Sequence, residues 1–511
     1  MATMRPVRRV LFADTINSLD EYLARRGGEG LTAARSVDPM VVIETLEASG
    51  LRGRGGAGFP TGRKWRTMVE NRSFRVGTTV VVNGAEGEPG TFKDRSILRK
   101  NPYHVLEGAL IAAVAVGADR VIFGMKRSFD REVGRIRVAM DEAEASGWSG
   151  DIALEIFEGP DEYLYGEETA LLEAIDGRYP FPRLAPPYRR GVRSAAERHA
   201  GEPAGLTSAA QVDMAGPLVD QDAPPALIDN VETLANVPRI ISRGADWFRN
   251  VGTAESPGTI VCTVTGSTRR HGVAEVMMGT PLRKVIESIG GGARPGHEIK
   301  AVMPGVANGL IPAAHLDTPV CYEDLSAIGS GLGSGGFIVF DETVDLTAVA
   351  AGVSRFLGVE SCGQCTPCKQ GGLKISGLLQ DLSHSESDAR SFEQLAANVA
   401  AVSDSARCYL AHQHEAVLRS VMANFPEEMQ AHLSGEAPPR EPYLVAELLD
   451  IVDGEAVLDA RFADKQPDWS FDEVFSGKLP ADHLGQGRHG DWSFKPREWA
   501  SLPDAVQRER H

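Results

Sequence analysis

Three cysteines spaced as Cys362-x-x-Cys365-x-x-Cys368 constrain this chain more than any other feature. The spacing gathers three thiols around one small volume, and Gly363 and Pro367 bend the backbone between them. Cys408 lies 40 residues further on, and only 6 cysteines occur in 511 residues. A set this sparse excludes a disulfide-stapled secreted scaffold and indicates a metal site in a reducing compartment. Three close ligands plus one remote cysteine form the pattern of an iron–sulfur centre, most simply [4Fe–4S]. Structural zinc held by four cysteines more often uses two separated pairs. Cys262, in a strand-like run, and Cys321, in a loop, read as structural thiols.

The rest of the chain divides by periodicity. Residues 1–35 are basic and irregular and read as an N-terminal arm. Asp38-Pro39 opens a helix that stops at Gly50, with Asp at the N-cap, Pro at the first position and Gly past the end. Val80–Val82 reads as a buried strand entering Asn83-Gly84. His104–Gly117 reads as a buried helix, and Arg120–Gly124 and Ile152–Phe157 as further strands. This alternation predicts an α/β domain with a largely parallel sheet over 36–254. Pro180–Pro187 and Pro203–Pro225 read as surface loops. Strand-like Thr259–Gly266, Lys300–Met303 and Gly336–Phe340, with helix-like Pro281–Ser288, predict a small α+β unit over 255–342. Strand signals then vanish, which predicts a helical unit over 343–435. Residues 436–511 show little periodicity and form an extension, a candidate docking segment for a partner. Asp-Trp-Ser-Phe occurs there at 468–471 and 491–494, which reads as coincidence.

Composition narrows the function. Lys+Arg of 53 against Asp+Glu of 70 gives −17, a poor balance for gripping nucleic-acid phosphates. The longest uncharged apolar stretch, Gly108–Ala118, is far short of the ~20 residues a membrane-spanning helix needs. The basic N-terminus has no apolar signal core behind it. The expected location is cytoplasmic, with any membrane association supplied through a partner complex.

Three further motifs carry chemistry. Gly53-Arg-Gly55-Gly56-Ala-Gly58-Phe59 contains a formal G-x-G-x-x-G, but a helix precedes it where a Rossmann turn needs a strand. Bare backbone amides there, with Lys64 nearby, still suit phosphate oxygens. Asn83-Gly-Ala85-Glu86-Gly-Glu88 follows a strand, where α/β proteins bind ligands. Tyr163-Leu-Tyr-Gly166-Glu167-Glu168 reads as a helix start with acids in its first turn.

Taken in order, GLRGRGGAGFPTGRKW, NGAEGEPGTFKDR, YGEETALLEAIDG, DNVETLANVP and ESCGQCTPCKQGG resemble the NADH-binding flavoprotein subunit (51 kDa type) of respiratory complex I. That family includes the diaphorase subunits of NAD-linked formate dehydrogenases and hydrogenases. The resemblance covers about residues 35–430. It implies a non-standard Rossmann-like FMN-binding α/β domain, a ubiquitin-like β-grasp (SLBB) domain and a helical bundle holding a [4Fe–4S] cluster. It implies hydride transfer between NAD(H) and FMN, then single-electron transfer to the cluster and on to a partner redox subunit, such as a thioredoxin-like 2Fe–2S subunit or a dehydrogenase subunit. No side-chain general base is implied. Carried over by residue, Gly55, Gly56, Gly58 and Lys64 would meet the FMN phosphate and ring. Asn83, Glu86, Tyr163, Gly166, Glu167 and Glu168 would meet its isoalloxazine or ribityl region, and Asp229-Asn230 its phosphate end. Phe59, Glu88 and Tyr188 would face the nucleotide. Cys362, Cys365, Cys368 and Cys408 would ligate the cluster, with Leu410 beside it.

The chain departs from the family at identifiable points. Ala85 replaces an Asp, Asp229 an Asn and Thr67 an aromatic. Ala185-Pro-Pro-Tyr188 replaces Lys-Pro-Pro-Phe, and Tyr409-Leu410-Ala411 replaces Ala-Leu-Gly. The losses fall on groups expected to stack on and hydrogen-bond the nucleotide. A second reading therefore stands beside the first: an electron-relay subunit with a changed or lost nicotinamide site.

Overall fold

The structure is a computed structural model and describes residues 7–72, 77–192 and 225–484. Most of the second Pro-rich loop and the 491–494 copy of Asp-Trp-Ser-Phe lie outside the described residues.

The N-terminal arm is not irregular. It contains two short helices, α1 (Leu19–Ala24) and α2 (Glu29–Arg35). Each is too short to signal itself by periodicity, and tertiary contacts hold both. The buried Glu107 carboxylate accepts hydrogen bonds from the Gly28 and Leu31 amides, each at 2.9 Å. Leu19, Tyr22, Leu31 and Ala34 join the main core. Next come α3 (Pro39–Ser49), capped by Asp38 and Gly50 as its sequence predicts, and α4 (Thr61–Glu70), with the glycine loop between them.

Strands β1 (Thr78–Gly84), β2 (Ala118–Lys126), β3 (Ala153–Gly159) and β4 (Ala226–Asn230) form a parallel sheet in the order β3-β2-β1-β4. Val81 of β1 lies opposite Ile122 on one side and Ile228 on the other. Its continuous apolar run is what a parallel strand covered on both faces requires. Helices α5 (Lys93–Lys100), α6 (Pro102–Val116), α7 (Asp130–Ala145), α8 (Glu168–Ile175), α9 (Val231–Arg243) and α10 (Ala245–Arg249) surround this sheet.

A second, mixed sheet follows, with β5 (Thr259–Gly266), β6 (Gly272–Met277), β7 (Ile299–Met303), β8 (Ile311–Pro312) and β9 (Gly336–Asp341). Its order is β6-β5-β9-β7-β8, with β5 and β9 parallel and the other pairs antiparallel. Helix α11 (Leu282–Gly290) buries Leu282, Val285, Ile286 and Ile289 against it, and α12 (Tyr322–Ala327) flanks it. Cys262 is buried in β5, and the Cys321 thiol caps against Asp324 at 2.8 Å, so both sit as structural thiols.

The third region is helical: α13 (Leu346–Glu360), α14 (Gly372–Ser383), α15 (Ala389–Ala401), α16 (Leu410–Asn424) and α17 (Pro426–Leu433). Its core is shared with Leu164, Tyr179 and Phe181 from the α/β region. Beyond it the chain again departs from the aperiodic reading. Residues 448–458 form a hairpin, β10 (Leu448–Val452) and β11 (Glu455–Leu458), and the following strap carries a buried Trp469. The hairpin is too short to stand alone in water and is held from outside. Arg95 Nη1 donates to the Leu448 carbonyl at 2.5 Å, and Lys126 pairs with Glu447 at 3.0 Å. No described helix is long and apolar enough to cross a membrane.

Candidate functional site

The carboxyl ends of β1 and β4 and the glycine loop converge on one place, the edge where parallel sheets present ligand sites. The loop returns on itself through Gly53 N–H donating to the Phe59 carbonyl at 2.8 Å. Gly55 lies against Asn230, and a Cβ added there would sit 3.3 Å from the Asn230 Cβ. Gly56 has φ +134°, and a Cβ there would meet nothing within 4 Å. Gly58, at φ +62°, is pressed on Tyr322, whose ring such a Cβ would strike. Two glycines of one motif thus serve different ends: Gly56 turns its backbone toward open space, while Gly58 seats the loop on the second sheet region.

Lys64 extends from α4 to this edge and donates to the Ile228 carbonyl at 2.6 Å and to Glu168 at 3.0 Å. Burial pulls its ammonium down, but Glu168 and Asp229 more than offset this and hold it above its ordinary value. Asn83 Nδ2 donates to the Gly166 carbonyl at 2.8 Å, fastening the end of β1 to the loop before α8. The cradle therefore contains a turn in a conformation only glycine adopts easily, an ammonium held charged and an amide side chain. This donor set fits the phosphate and ribityl end of FMN.

The structure also shows which polar groups are already committed. Glu86 is buried, pairs with Arg95 at 2.9 Å and accepts the Asp94 amide at 2.9 Å, so it braces the start of α5. Glu167 caps α8 by accepting the Thr169 and Ala170 amides, the plain capping role its position allows. Asp229 accepts from Trp65 Nε1 at 2.6 Å, and burial pushes its carboxyl up to about 6. Asn230 caps α9, accepts from Lys93 at 3.0 Å and donates to Asp94 at 2.7 Å. The Lys93–Asp94–Glu232 cluster beneath it is buried, and nothing in its sequence spacing indicated it.

Glu88 and Tyr163 sit at the junction of all three regions. Tyr163 Oη donates to Glu88 at 2.6 Å and lies 3.3 Å from the Gln413 side-chain amide of α16. The other Glu88 oxygen accepts the Val306 amide at 2.7 Å. Burial pushes the Glu88 carboxyl up to about 6, against these donors. Phe59 exposes half its surface at the loop tip. Tyr188 packs partly on the main core instead, with the Arg189 guanidinium 5.9 Å from its ring.

The four predicted ligands meet. Cys362, Cys365, Cys368 and Cys408 line one cavity with Leu164, Pro182, Leu410 and Ala411. Ser361 caps the end of helix α13, Gly363 turns at φ +89°, and a π-type turn over Pro367–Gly371 brings Cys368 round before α14. Cys408 arrives just ahead of α16. All four thiols are free. Gln364 Nε2 approaches Cys362 Sγ at 3.5 Å, and the Ser361 hydroxyl lies 3.2 Å from Cys368 Sγ. Burial raises the thiols of Cys362, Cys368 (to about 11) and Cys408, so cluster loading must release their protons. Four thiols around one largely apolar cavity fit a [4Fe–4S] cluster.

Comparison with known proteins accords with this geometry. The family described as the Nuo51 FMN-binding domain matches residues 46–239, and the NADH-ubiquinone oxidoreductase-F iron-sulfur binding region matches residues 348–432. An NADH-quinone oxidoreductase F-subunit of Rhizobium meliloti is 34% identical over 431 residues, covering 82% of this chain and 96% of the relative. The chain belongs to the NADH-quinone oxidoreductase F-subunit family. The NADP-reducing hydrogenase subunit HndC of Solidesulfovibrio fructosivorans is also 34% identical, over 83% of this chain and 82% of its own. A solved NAD+-reducing [NiFe]-hydrogenase in the H2-reduced state matches at TM-score 0.68 and 30% identity, covering 82% of this chain and 67% of that one. Both F-subunit family matches end before residue 436, so the hairpin and the strap lie outside them.

Proposed function

We propose that this chain is an NADH dehydrogenase (diaphorase) type flavo-iron–sulfur subunit, moving electrons between NAD(H) and a partner subunit. One observation carries the reading: Tyr163 donates to Glu88 of the motif that follows β1 and lies against Gln413 of α16, the helix that follows Cys408, so one side chain spans the ground between the flavin-side motif and the cluster helix. FMN held there would supply hydride exchange with the nicotinamide, and a [4Fe–4S] cluster in the four-thiol cavity would supply a one-electron path onward. The protein's work is placement. Gly55, Gly56, Lys64 and Asn230 would hold the phosphate end, with Gly58 seating the loop on Tyr322, and Asn83, Gly166 and Tyr163 would hold the ring side. Glu86, Glu167 and Asp229 stiffen this shell from behind. Phe59 and Glu88 would face the nucleotide, whereas Tyr188 packs on the main core.

The second region has the strand order of a ubiquitin-like β-grasp, with its fifth strand between the first and third, and this supports the SLBB reading. The division into 36–254, 255–342 and 343–435, the partner as another redox subunit and any membrane attachment through that partner belong to the same proposal.

Anaerobic mixing of the FMN-loaded chain with NADH tests it. Bleaching of the flavin absorbance is expected. Flavin that NADH leaves oxidised and dithionite reduces would refute NADH use. A specific observation keeps the nucleotide question open: Ala85 offers no polar side chain beside Gly166, and the Thr67 hydroxyl is spent on the Arg63 carbonyl of its own helix. An NADPH arm in the same experiment reads out that second possibility.

A further inference from the structure

The extension beyond the family matches reaches into the ground between the two cofactor sites. Lys465 is buried and pairs with two carboxylates, Glu162 and, at 2.6 Å, Glu360. Glu162 immediately precedes Tyr163 on the flavin side. Glu360 ends α13, two residues ahead of Cys362, and its other oxygen accepts the Tyr163 amide at 3.1 Å. Two buried carboxylates this close repel each other, and a cation between them turns that repulsion into a clamp. The cation comes from 303 residues away along the chain from Glu162.

The strap around Lys465 grips the cluster loop at further points. Trp469 Nε1 donates to the Val359 carbonyl at 2.9 Å, and the Ala481 amide donates to the Cys362 carbonyl at 2.8 Å. Leu479 and Ala481 pack on Gly363, where an added Cβ would lie 3.2 Å from Leu479. Phe181 meets Trp469 at 5.9 Å between ring centroids, and Tyr179 stacks on His483 at 6.0 Å.

We infer that Lys465 is a positioning residue that sets the spacing between the flavin-side segment carrying Tyr163 and the loop carrying Cys362, and so the rate at which electrons cross between the two sites. The inference rests on the proposed function for its redox meaning and on geometry alone for the clamp. No new reactant enters: the electrons are those NADH delivers, and NAD+ and a proton are the products.

The cofactor-loaded full chain tests it with Lys465→Met, Lys465→Arg, Glu162→Gln and the paired control Lys126→Met/Glu447→Gln, which removes the strap's other buried ion pair away from the cluster. Lys465→Met is expected to slow cluster reduction, followed by freeze-quench EPR, about tenfold, well beyond any change in NADH bleaching of the flavin, since small misplacements carry large rate costs. Its dithionite-reduced cluster spectrum should shift, and backbone hydrogen exchange should rise at 160–166 and 359–364. Lys465→Arg should restore all three readouts, and the paired control should leave them untouched. Glu162→Gln keeps the Glu360 pair and serves if Lys465→Met does not accumulate; it should loosen 160–166 alone. Unchanged spectrum and exchange in the Lys465 and Glu162 variants would overturn the clamp, as would equal changes in the paired control. Because dithionite and exchange need no nucleotide, failure of NADH to bleach the wild-type flavin strikes the proposed function and leaves the clamp to be judged separately.

Discussion

Asp229 shows how much one buried carboxylate weighs. It stands where the family has Asn, it is buried, and its carboxyl is pushed from 3.8 to about 6. A group whose folded value is raised stabilises the fold most below its unfolded value, and that contribution is lost as pH rises through the folded value. About two units correspond to ~3 kcal/mol. Asp229→Asn keeps an oxygen for Trp65 Nε1 and removes the charge, so chemical denaturation across pH 3–8 should show a flatter pH dependence and a gain of about 2–3 kcal/mol at pH 7. A pH profile superimposable on the parent's would sink this account. The cysteines make a second residue-level test. Cys408→Ser should cost the cluster its iron and acid-labile sulfide, whereas Cys262→Ser, buried in β5, should leave both at the parent's level. That Cys362, Cys365, Cys368 and Cys408 meet in one cavity was legible in the sequence, because spacing and residue type suffice to group them. The Lys93–Asp94–Glu232 cluster was not, because ordinary Lys and Glu carry no mark of their partners.

At the scale of elements, legibility followed length and self-sufficiency. The α3 helix announced itself through Asp38, Pro39 and Gly50, and β5 through β-branched residues on both sides of Cys262, because those signals are local. The α1 and α2 helices and the 448–458 hairpin gave none, since each owes its order to a distant side chain: Glu107 for the first pair, Arg95 and Lys126 for the hairpin. The glycine loop separates the two kinds of information. Gly56→Ala meets no neighbour, so it should cost about 1 kcal/mol of backbone strain while lowering bound flavin. Gly58→Ala drives a Cβ into the Tyr322 ring and should cost about 2–3 kcal/mol of fold stability. Melting curves and flavin content measured side by side would reverse that order if the loop is merely a connector.

Over the whole molecule, the extension from residue 436 onward ties the regions into one unit. It pairs Glu447 with Lys126 under the parallel sheet, bonds Gly454 to His271 beside the second sheet, and bonds Tyr443 to Ala348 in the helical region. Removing residues 436–511 should therefore split one calorimetric transition into two or more, with the helical region melting first. Lys126→Met alone removes the ammonium bonded to the buried Glu447 carboxylate and should cost about 3–5 kcal/mol. A truncated chain that melts in a single transition at the parent's temperature would show the strap to be a passive covering.

By itself the sequence determined the grouping of the four thiols, the order of the regions and the elements with strong local signals, because caps, periodicities and cysteine spacings act over a few residues. The tertiary structure decided what those local facts cannot reach. It settled that Gly56 opens to space while Gly58 is pressed on Tyr322, that Glu86 and Glu167 are committed within the chain, and that Lys465 comes to lie between Glu162 and Glu360. The reason is physical: a buried charge is defined by its partner, and folding alone chooses a partner hundreds of residues away.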